Sequence, residues 1–426
     1  MTAPDVVVVG AGLAGLCCAR RLMQCDIPAR VVEASDGVGG RVRTDLVDGF
    51  RLDRGFQIYL TAYPEGRRVL DYPALDLRPF VAGAKVWAGG RFHRVADPRA
   101  EPLAAARSVL NPVGTVRDKL RLAGLKFDLD AGLDSNGDPS DAAGETSTAD
   151  YLGRVRGFTP AMVERLFRPF IGGVFLERDL ATSHKFFQFV VRTFGRGVAA
   201  VPALGMQRIP DQIAAALPAG WLSLNSPAAA VAPGTVRLGS GEVVECRAVV
   251  LATDVTAAST LTGGRVVAPG WHGSVTLYYA ADASPAGEPI LMLNGDGSAA
   301  GPVNNVVVMS DTAPDYAPAG QHLIAVSVVD PPPGIDADLD AAVRTQLRDW
   351  YGPAVTPWRL VRVYRIPHGL PKQPPGRLTP WRRPVTLSPG LYVCGDHLDN
   401  ASVDGAMASG FRAAQQVMSD LHAGRC

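Results

Sequence analysis

Three glycines at Gly10, Gly12 and Gly15 are the first residues in the chain whose spacing suggests chemistry. They follow Asp5-Val-Val-Val-Val9, an unbroken β-branched run suited to a strand buried on both faces, and they open a run of helix formers from Leu13 to Cys25. In that context Gly10 permits a tight turn, and Gly12 lets a pyrophosphate approach the backbone. Gly15 allows close packing of helix on strand. The helix start at Leu13 and Ala14 offers unbonded N–H groups and the positive end of its dipole to the phosphates. Ile27 to Glu33 returns as a second strand, and Glu33, followed by Ala34, stands where an acid accepts hydrogen bonds from both ribose hydroxyls. This βαβ unit reads as a dinucleotide site, and its acid disfavours a 2′-phosphate, so NADP is the poorer ligand.

A second glycine pair follows in Asp36-Gly-Val-Gly-Gly-Arg-Val-Arg-Thr44, where Gly39 and Gly40 bring more backbone N–H groups toward the same pyrophosphate and Arg41 offsets its charge. The combination of Gly39, Gly40, Arg41 and Thr44 with the upstream fingerprint resembles the family of flavin-containing amine oxidases, protoporphyrinogen oxidases and phytoene desaturases. The resemblance continues downstream. Asp53-Arg-Gly-Phe-Gln57 is similar to a segment passing beside the flavin ring, which implies contacts from Gly55, Phe56 and Gln57. Ala203 to Pro210 resembles a Gly-Gly-Met segment with Leu204 in place of the first glycine, and Val231 stands where a strand meets the adenine. Gly395 and Asp396 match the C-terminal motif that holds the ribityl and phosphate region. Gly405, Ala406 and Met407 match the helix start facing the N1 and O2 edge of the flavin. The resemblance thus implies FAD, held noncovalently, since no Ser-Gly-Gly-Cys-Tyr attachment segment is present.

The reaction implied is dehydrogenation of a mostly apolar organic substrate, which gives a hydride equivalent to flavin N5 in desaturase-like or porphyrinogen-oxidase-like chemistry while the protein orients it and excludes water. Two alternatives stand beside it: an amine oxidase with an atypical pocket, and a redox-neutral isomerase or noncatalytic flavoprotein. Ser402 occupies the position of an aromatic residue that helps cage the amine in amine oxidases, which lowers the weight of the first alternative. Phe56 and Gln57, with Phe170 and His368, are the candidate substrate-lining residues. His368 also reads as a structural histidine, Lys372 as a surface lysine, and the run Phe167, Phe170 and Phe175 as plain core. No single catalytic side chain is assigned.

These residues must be positioned by an α/β architecture, a discontinuous Rossmann-like FAD-binding domain of the p-hydroxybenzoate-hydroxylase kind carrying an α+β substrate domain. Strand-like runs at Arg247–Thr253 and Gly390–Gly395 and a helix from about Ala406 to Leu421 assign 1–80, 196–265 and 386–426 to the first, and 81–195 and 266–385 to the second. Block 81–195 reads as mostly helical. In it Val113, Val116, Leu120, Ala123 and Phe127 form an apolar stripe, read as core-facing in preference to membrane-touching. The polar stretch Asp134 to Thr148 reads as a loop, with Ser147 or Thr148 capping the helix after it, and the second block reads as strand-rich.

The 426 residues suit two or three cores. With 42 Lys plus Arg against 41 Asp plus Glu, a net charge of +1 supplies no global field for nucleic acid. Six cysteines without metal-ligand spacing indicate neither zinc nor a disulfide framework, and they fit a reducing, cytoplasmic setting. No run reaches the ~18 apolar residues of a membrane span, so the chain is expected to be soluble or at most peripheral to a membrane. The partner expected is a small apolar substrate. The sequence leaves the oligomeric state open.

Overall fold

The computed structural model describes residues 4–96, 101, 103, 108, 111–131, 144–331 and 334–426; side chains of 126–131 lie outside this description, as does most of the polar stretch after them. Val6–Val9, with no residue more than 3% exposed, is the central strand of a six-stranded sheet. Ala29–Val32 and then Leu222–Ser223 flank it on one side; Ala248–Leu251, Leu391–Val393 and Thr386–Ser388 flank it on the other. All pairings are parallel except the last. One sheet is therefore assembled from the start, middle and end of the chain. Its central strands Val6–Val9 and Ala248–Leu251 lose the alternation of half-exposed strands because they are buried on both faces.

The helices Leu13–Met23 and Val403–His422 lie against each other on this sheet. Two glycines set this packing, Gly15 between the first helix and the turn after Val9 and Gly410 between the two helices. A Cβ on Gly15 would stand 1.9 Å from the Gly10 carbonyl oxygen, and one on Gly410 would stand 2.1 Å from that of Ala14.

A seven-stranded sheet forms the second layer system, in the order Arg359–Pro371, Trp271–Ala281, His322–Val329, Asn305–Val308, Leu291–Asn294, Gly83–Ala88 and Arg91–Ala96. The last two strands correct the mostly helical reading of block 81–195. Their turn is Gly89-Gly90 with φ of +60° and +79°, the left-handed pair that suits a two-residue hairpin. The helical part of that block includes Val116–Ala131, two π-helical turns at Tyr151–Val155 and Val163–Phe167, and His184–Arg196. Ser147 caps the short turn Thr148–Asp150, its side chain accepting from the Asp150 N–H.

Asp53 joins these parts. It is 0% exposed, and its carboxylate accepts from Thr44 Oγ1 at 2.5 Å, Met206 N at 3.0 Å and Tyr316 Oη at 2.9 Å. Its backbone carbonyl accepts from Tyr278 Oη at 2.9 Å. Leu204 sits just ahead of this node without a left-handed φ and 44% exposed, whereas Gly205 carries the strained turn at φ +95°, so one glycine suffices in the Ala203–Pro210 segment.

Gly410→Ala is expected to push the C-terminal helix off its neighbour at a cost of about 1–3 kcal/mol, the usual penalty of overpacking. A lowered thermal midpoint checks it, and an unchanged midpoint would contradict the packing described.

Candidate active site

The ends of the parallel strands and the seven-stranded sheet enclose a cavity of about 2150 Å³. Single-ligand pockets commonly measure roughly 300–1000 Å³, so this space holds a dinucleotide and a second large molecule.

At the nucleotide end the chain leaves Val9 through Gly10, whose φ of +110° and 2.8 Å Cβ approach to the Ala252 carbonyl oxygen exclude a side chain. Gly12 is the N-cap of the first helix and makes no side-chain cap, so the first-turn N–H groups are left to the cavity that Gly12, Leu13 and Ala14 line. A Cβ on Gly12 would meet nothing within 4 Å, and Gly40, at φ +59°, closes the other side of the same trough. Gly39 forms a bridge to Gly12, and its N–H donates to the Ala11 carbonyl at 2.8 Å. Gly15 lies below, in the helix-to-strand contact, and does not line the cavity. This trough of backbone donors with an open side fits a diphosphate.

Glu33 and Ala34 line the same end. The Glu33 carboxylate is already oriented: Oε2 accepts from Ala11 N at 2.7 Å, and Oε1 accepts from Ser35 N at 2.8 Å and Ser35 Oγ at 2.7 Å. Oε2, with one donor, retains acceptor capacity for a hydroxyl. The cavity meets the strand Ala228–Ala232 at Ala228 and Ala229, not at Val231 as expected, because the strand is bulged between Ala228 and Ala230.

Arg41 is held between two acceptors, donating from Nη2 to Asp396 Oδ1 at 2.7 Å and from Nη1 to the Gly369 carbonyl at 2.9 Å, with its guanidinium 5.5 Å from the Trp271 ring. Gly395, at φ +151°, and Asp396 complete this wall. Gly55 at φ +90° turns Phe56 and Gln57 to the cavity. Phe56 N donates to Thr276 Oγ1 at 3.1 Å, and Gln57 Nε2 donates to the carbonyls of Arg41 and Arg54 at 3.0 and 3.2 Å, so the glutamine amide braces the wall.

The C-terminal helix enters two residues earlier than its motif suggests, and this corrects the contacts expected there. Ser402 is the N-cap, so the helix faces the cavity through Ser402, Val403 and Ala406. Ser402 Oγ accepts from the Gly405 N–H at 3.1 Å, and the Ala406 N–H donates to the Ser402 carbonyl at 3.0 Å. Gly405 does not line the cavity and is pressed on the Asn400 carbonyl, where a Cβ would stand 2.0 Å away. Met407 points into the core at 0% exposure. The donors that open this helix are therefore the N–H groups of Val403 and Asp404.

Phe170 lines the far chamber against Phe194, with ring centroids 5.3 Å apart, and Phe167 joins it while Phe175 is core. His368 does not: it is exposed and stacked on Trp271 at 4.9 Å and 18°, because the strand turns Gly369 and Leu370 inward instead. Lys372 is exposed. Sequence reasoning missed Tyr63, Ser274 and Asn305, which line the cavity from separate elements with no motif around them. None of the six cysteines lines it, and among the described residues no cluster could hold a metal.

Residues 13–418 match the family described as flavin containing amine oxidoreductase, and the chain belongs to it. It is an oxidoreductase of that family, and its cofactor is FAD. A carotenoid phi-ring synthase of Streptomyces griseus is 33% identical over 132 residues, covering 28% of this chain and 25% of that one. The chain matches no more than a quarter of the length of the first curated relatives it resembles. Among solved structures, a protoporphyrinogen-oxidase-like protein of Exiguobacterium aligns at TM-score 0.71 and 19% identity, covering 99% of this chain and 100% of its own. A putrescine oxidase variant aligns at 0.73 and 18%, covering 98% and 99%. Both show the mixed α/β fold.

Burial raises three carboxyl groups near this site above their ordinary value of 3.8: Asp53 to about 6, Asp399 to about 6 and Asp404 to about 7. Between pH about 4 and about 7 these three groups keep protons in the folded chain that the unfolded chain has released, so their contribution to stability falls as pH rises, opposed in the same window by His397, which burial lowers to about 4. From pH 5 to pH 7.5 the thermal midpoint of the apoprotein is expected to fall further in the wild-type protein than in Asp404→Asn; equal changes in the two would contradict the burial of Asp404. Glu33→Ala is expected to weaken FAD binding about 10- to 100-fold, as for loss of hydrogen bonds to a charged group, with the far-ultraviolet dichroism unchanged.

Proposed function

We propose that this protein uses its FAD to dehydrogenate a large, mostly apolar organic molecule, in desaturase-like or porphyrinogen-oxidase-like chemistry. In this reading the discontinuous sheet is a Rossmann-like FAD domain in the p-hydroxybenzoate-hydroxylase arrangement, formed by 1–80, 196–265 and 386–426, and 81–195 with 266–385 form the substrate domain. The backbone trough of Gly12, Gly39 and Gly40 holds the diphosphate. Glu33 holds the ribose, and Arg41 with Asp396 frames the stretch between diphosphate and ring. Bound FAD supplies a two-electron acceptor.

The observation that carries the reading is the charge of the cavity wall. Among the described lining residues the only carboxylates are Glu33, Asp254 and Asp396, all at strand ends of the nucleotide sheet. The far chamber is walled by Val113, Met162, Phe167, Phe170, Val190 and Phe194, with Arg54, Lys119 and Arg196 as its charged members. A protonated amine brought into this chamber would lose its water without gaining a counter-charge, at a cost of several kcal/mol. An apolar skeleton is stabilised there by ~25 cal/mol for each Å² it buries. The protein's part is then to shed water from the substrate, hold its reacting carbon at the inner end of the chamber and keep solvent out. Phe56, Gln57 and Ser274 are the side chains available for that orientation.

Anaerobic mixing of the purified yellow protein with candidate substrates tests this. A polyene or a porphyrinogen is expected to bleach the visible flavin band while putrescine leaves it unchanged. Bleaching by putrescine with release of ammonia would establish the amine-oxidase reading instead. A flavin band unmoved by any reductant in the panel would point to the noncatalytic one.

A further inference from the structure

The helix Val116–Ala131 departs from its expected role in a way that reveals how the cavity communicates with its surroundings. The stripe Val113, Val116, Leu120, Ala123 and Phe127 is expected to face the core. Val113 does, at 1% exposure, but Val116 is 51% exposed, Leu120 is 70% exposed and Ala123 is exposed, while the helix turns Leu125 inward at 1%. Val116 and Leu120 also line the cavity. A side chain that is half or more open to solvent and also forms the cavity wall sits at the mouth, so the apolar lining continues outward along this helix. Val198, 43% exposed, is another cavity-lining residue of this kind.

The surrounding surface has a consistent chemistry. Arg117 is exposed beside Val116, and Lys119 and Arg121 follow on the same turns. The one acid among them, Asp118, is 0% exposed and turned inward, accepting from the N–H and hydroxyl of both Thr115 and Thr159. Arg121 donates to the Gly157 carbonyl, which brings the turn Tyr151–Val155 alongside. That turn adds Val155, 63% exposed, and Arg154, whose side chain is 85% exposed and pairs at 3.3 Å with the half-exposed Asp150, which leaves Arg117 as a cation with no ion-pair partner among the described residues. Apolar tips set among cationic heads, at the opening of an apolar chamber, are the pattern of a helix that lies in a lipid interface with its charges among the head groups.

We propose that the face carrying Val116, Leu120 and Val155 docks on an anionic lipid surface and that this contact opens the chamber directly to the hydrocarbon layer. The proposal rests on the reading of the chamber as an apolar-substrate site and adds the source of that substrate. It requires no membrane span, and among the described residues no helix is long and apolar enough to form one. Val116 and Leu120 would insert to the depth of the acyl boundary while Arg117 and Arg154 meet the phosphates. A water-insoluble substrate then passes from lipid to chamber without crossing bulk water.

Flotation of the FAD-loaded protein with phospholipid vesicles tests this. Vesicles containing one-fifth anionic lipid are expected to carry the wild-type protein upward, and wholly zwitterionic vesicles or high salt to carry at least several-fold less. The double variant Val116→Asp/Leu120→Asp is expected to lose at least tenfold in the floated fraction while keeping its bound FAD, since both side chains are already exposed. Arg117→Glu is expected to weaken binding to anionic vesicles alone. No flotation of the wild-type protein with either vesicle, or equal flotation of the double variant, would overturn the proposal. So would light scattering showing a dimer that the double variant dissociates, because a second copy of the chain would then cover this face. The vesicle readout contains no substrate, so a chamber that rejects polyenes and porphyrinogens would sink the functional reading while leaving the docking result to stand by itself.

Discussion

Backbone-to-backbone contact between the two ends of the chain is the constraint on which the rest depends. Gly15 rests on the carbonyl of Gly10, and Gly410 rests on that of Ala14, at separations where no Cβ fits. A side chain at Gly15 would lift the helix Leu13–Met23 off the turn after Val9, and one at Gly410 would push the helix Val403–His422 away from it, so their N-terminal turns would no longer bound one cavity. Because they do, Leu13 and Ala14 from one helix and Ser402 and Val403 from the other face the same space. The glycines thus act through distance, and the site geometry follows from it.

A second layer of order comes from buried carboxylates used as pins. Asp404 accepts from the N–H groups of Glu65 and Gly66 at 2.8 and 3.4 Å, tying the helix Pro64–Val69 to the C-terminal helix. Asp53 does the same for the segments of Thr44, Met206 and Tyr316. Each pin takes a group that prefers water and surrounds it with donors, so removing one donor leaves a charge without compensation. Gly55, Phe56 and Gln57 inherit their position from Asp53, two residues upstream.

The nucleotide end of the molecule was legible because its chemistry is local. Gly10, Gly12 and Gly15 act within one turn, Glu33 ends the next strand, and Gly39 and Gly40 follow directly, so spacing alone brings them together. Cavity lining departs from the motif positions where a single residue of offset matters. Met407 is one position from Ala406 yet faces the core, His368 is next to Gly369 yet faces solvent, and Val231 lies past a bulge that shifts the strand's contact to Ala229. The hairpin Gly83–Ala96 did carry its signal in Gly89-Gly90, but the helical character of the residues beyond it dominated the reading. The chamber was the least legible part, since Tyr63, Ser274 and Asn305 meet only through the fold.

The sheet order also bears on how the molecule is made. Val6–Val9 pairs with Ala248–Leu251, which in turn pairs with Leu391–Val393. A ribosome adding about 5–20 residues each second releases the first of these strands some tens of seconds before its central neighbour exists. During that interval four consecutive valines have an unpaired edge, a hazard that chaperones or the early parallel pairing with Ala29–Val32 must contain. Coenzyme capture is accordingly among the last events of biogenesis, completed when the final helix arrives.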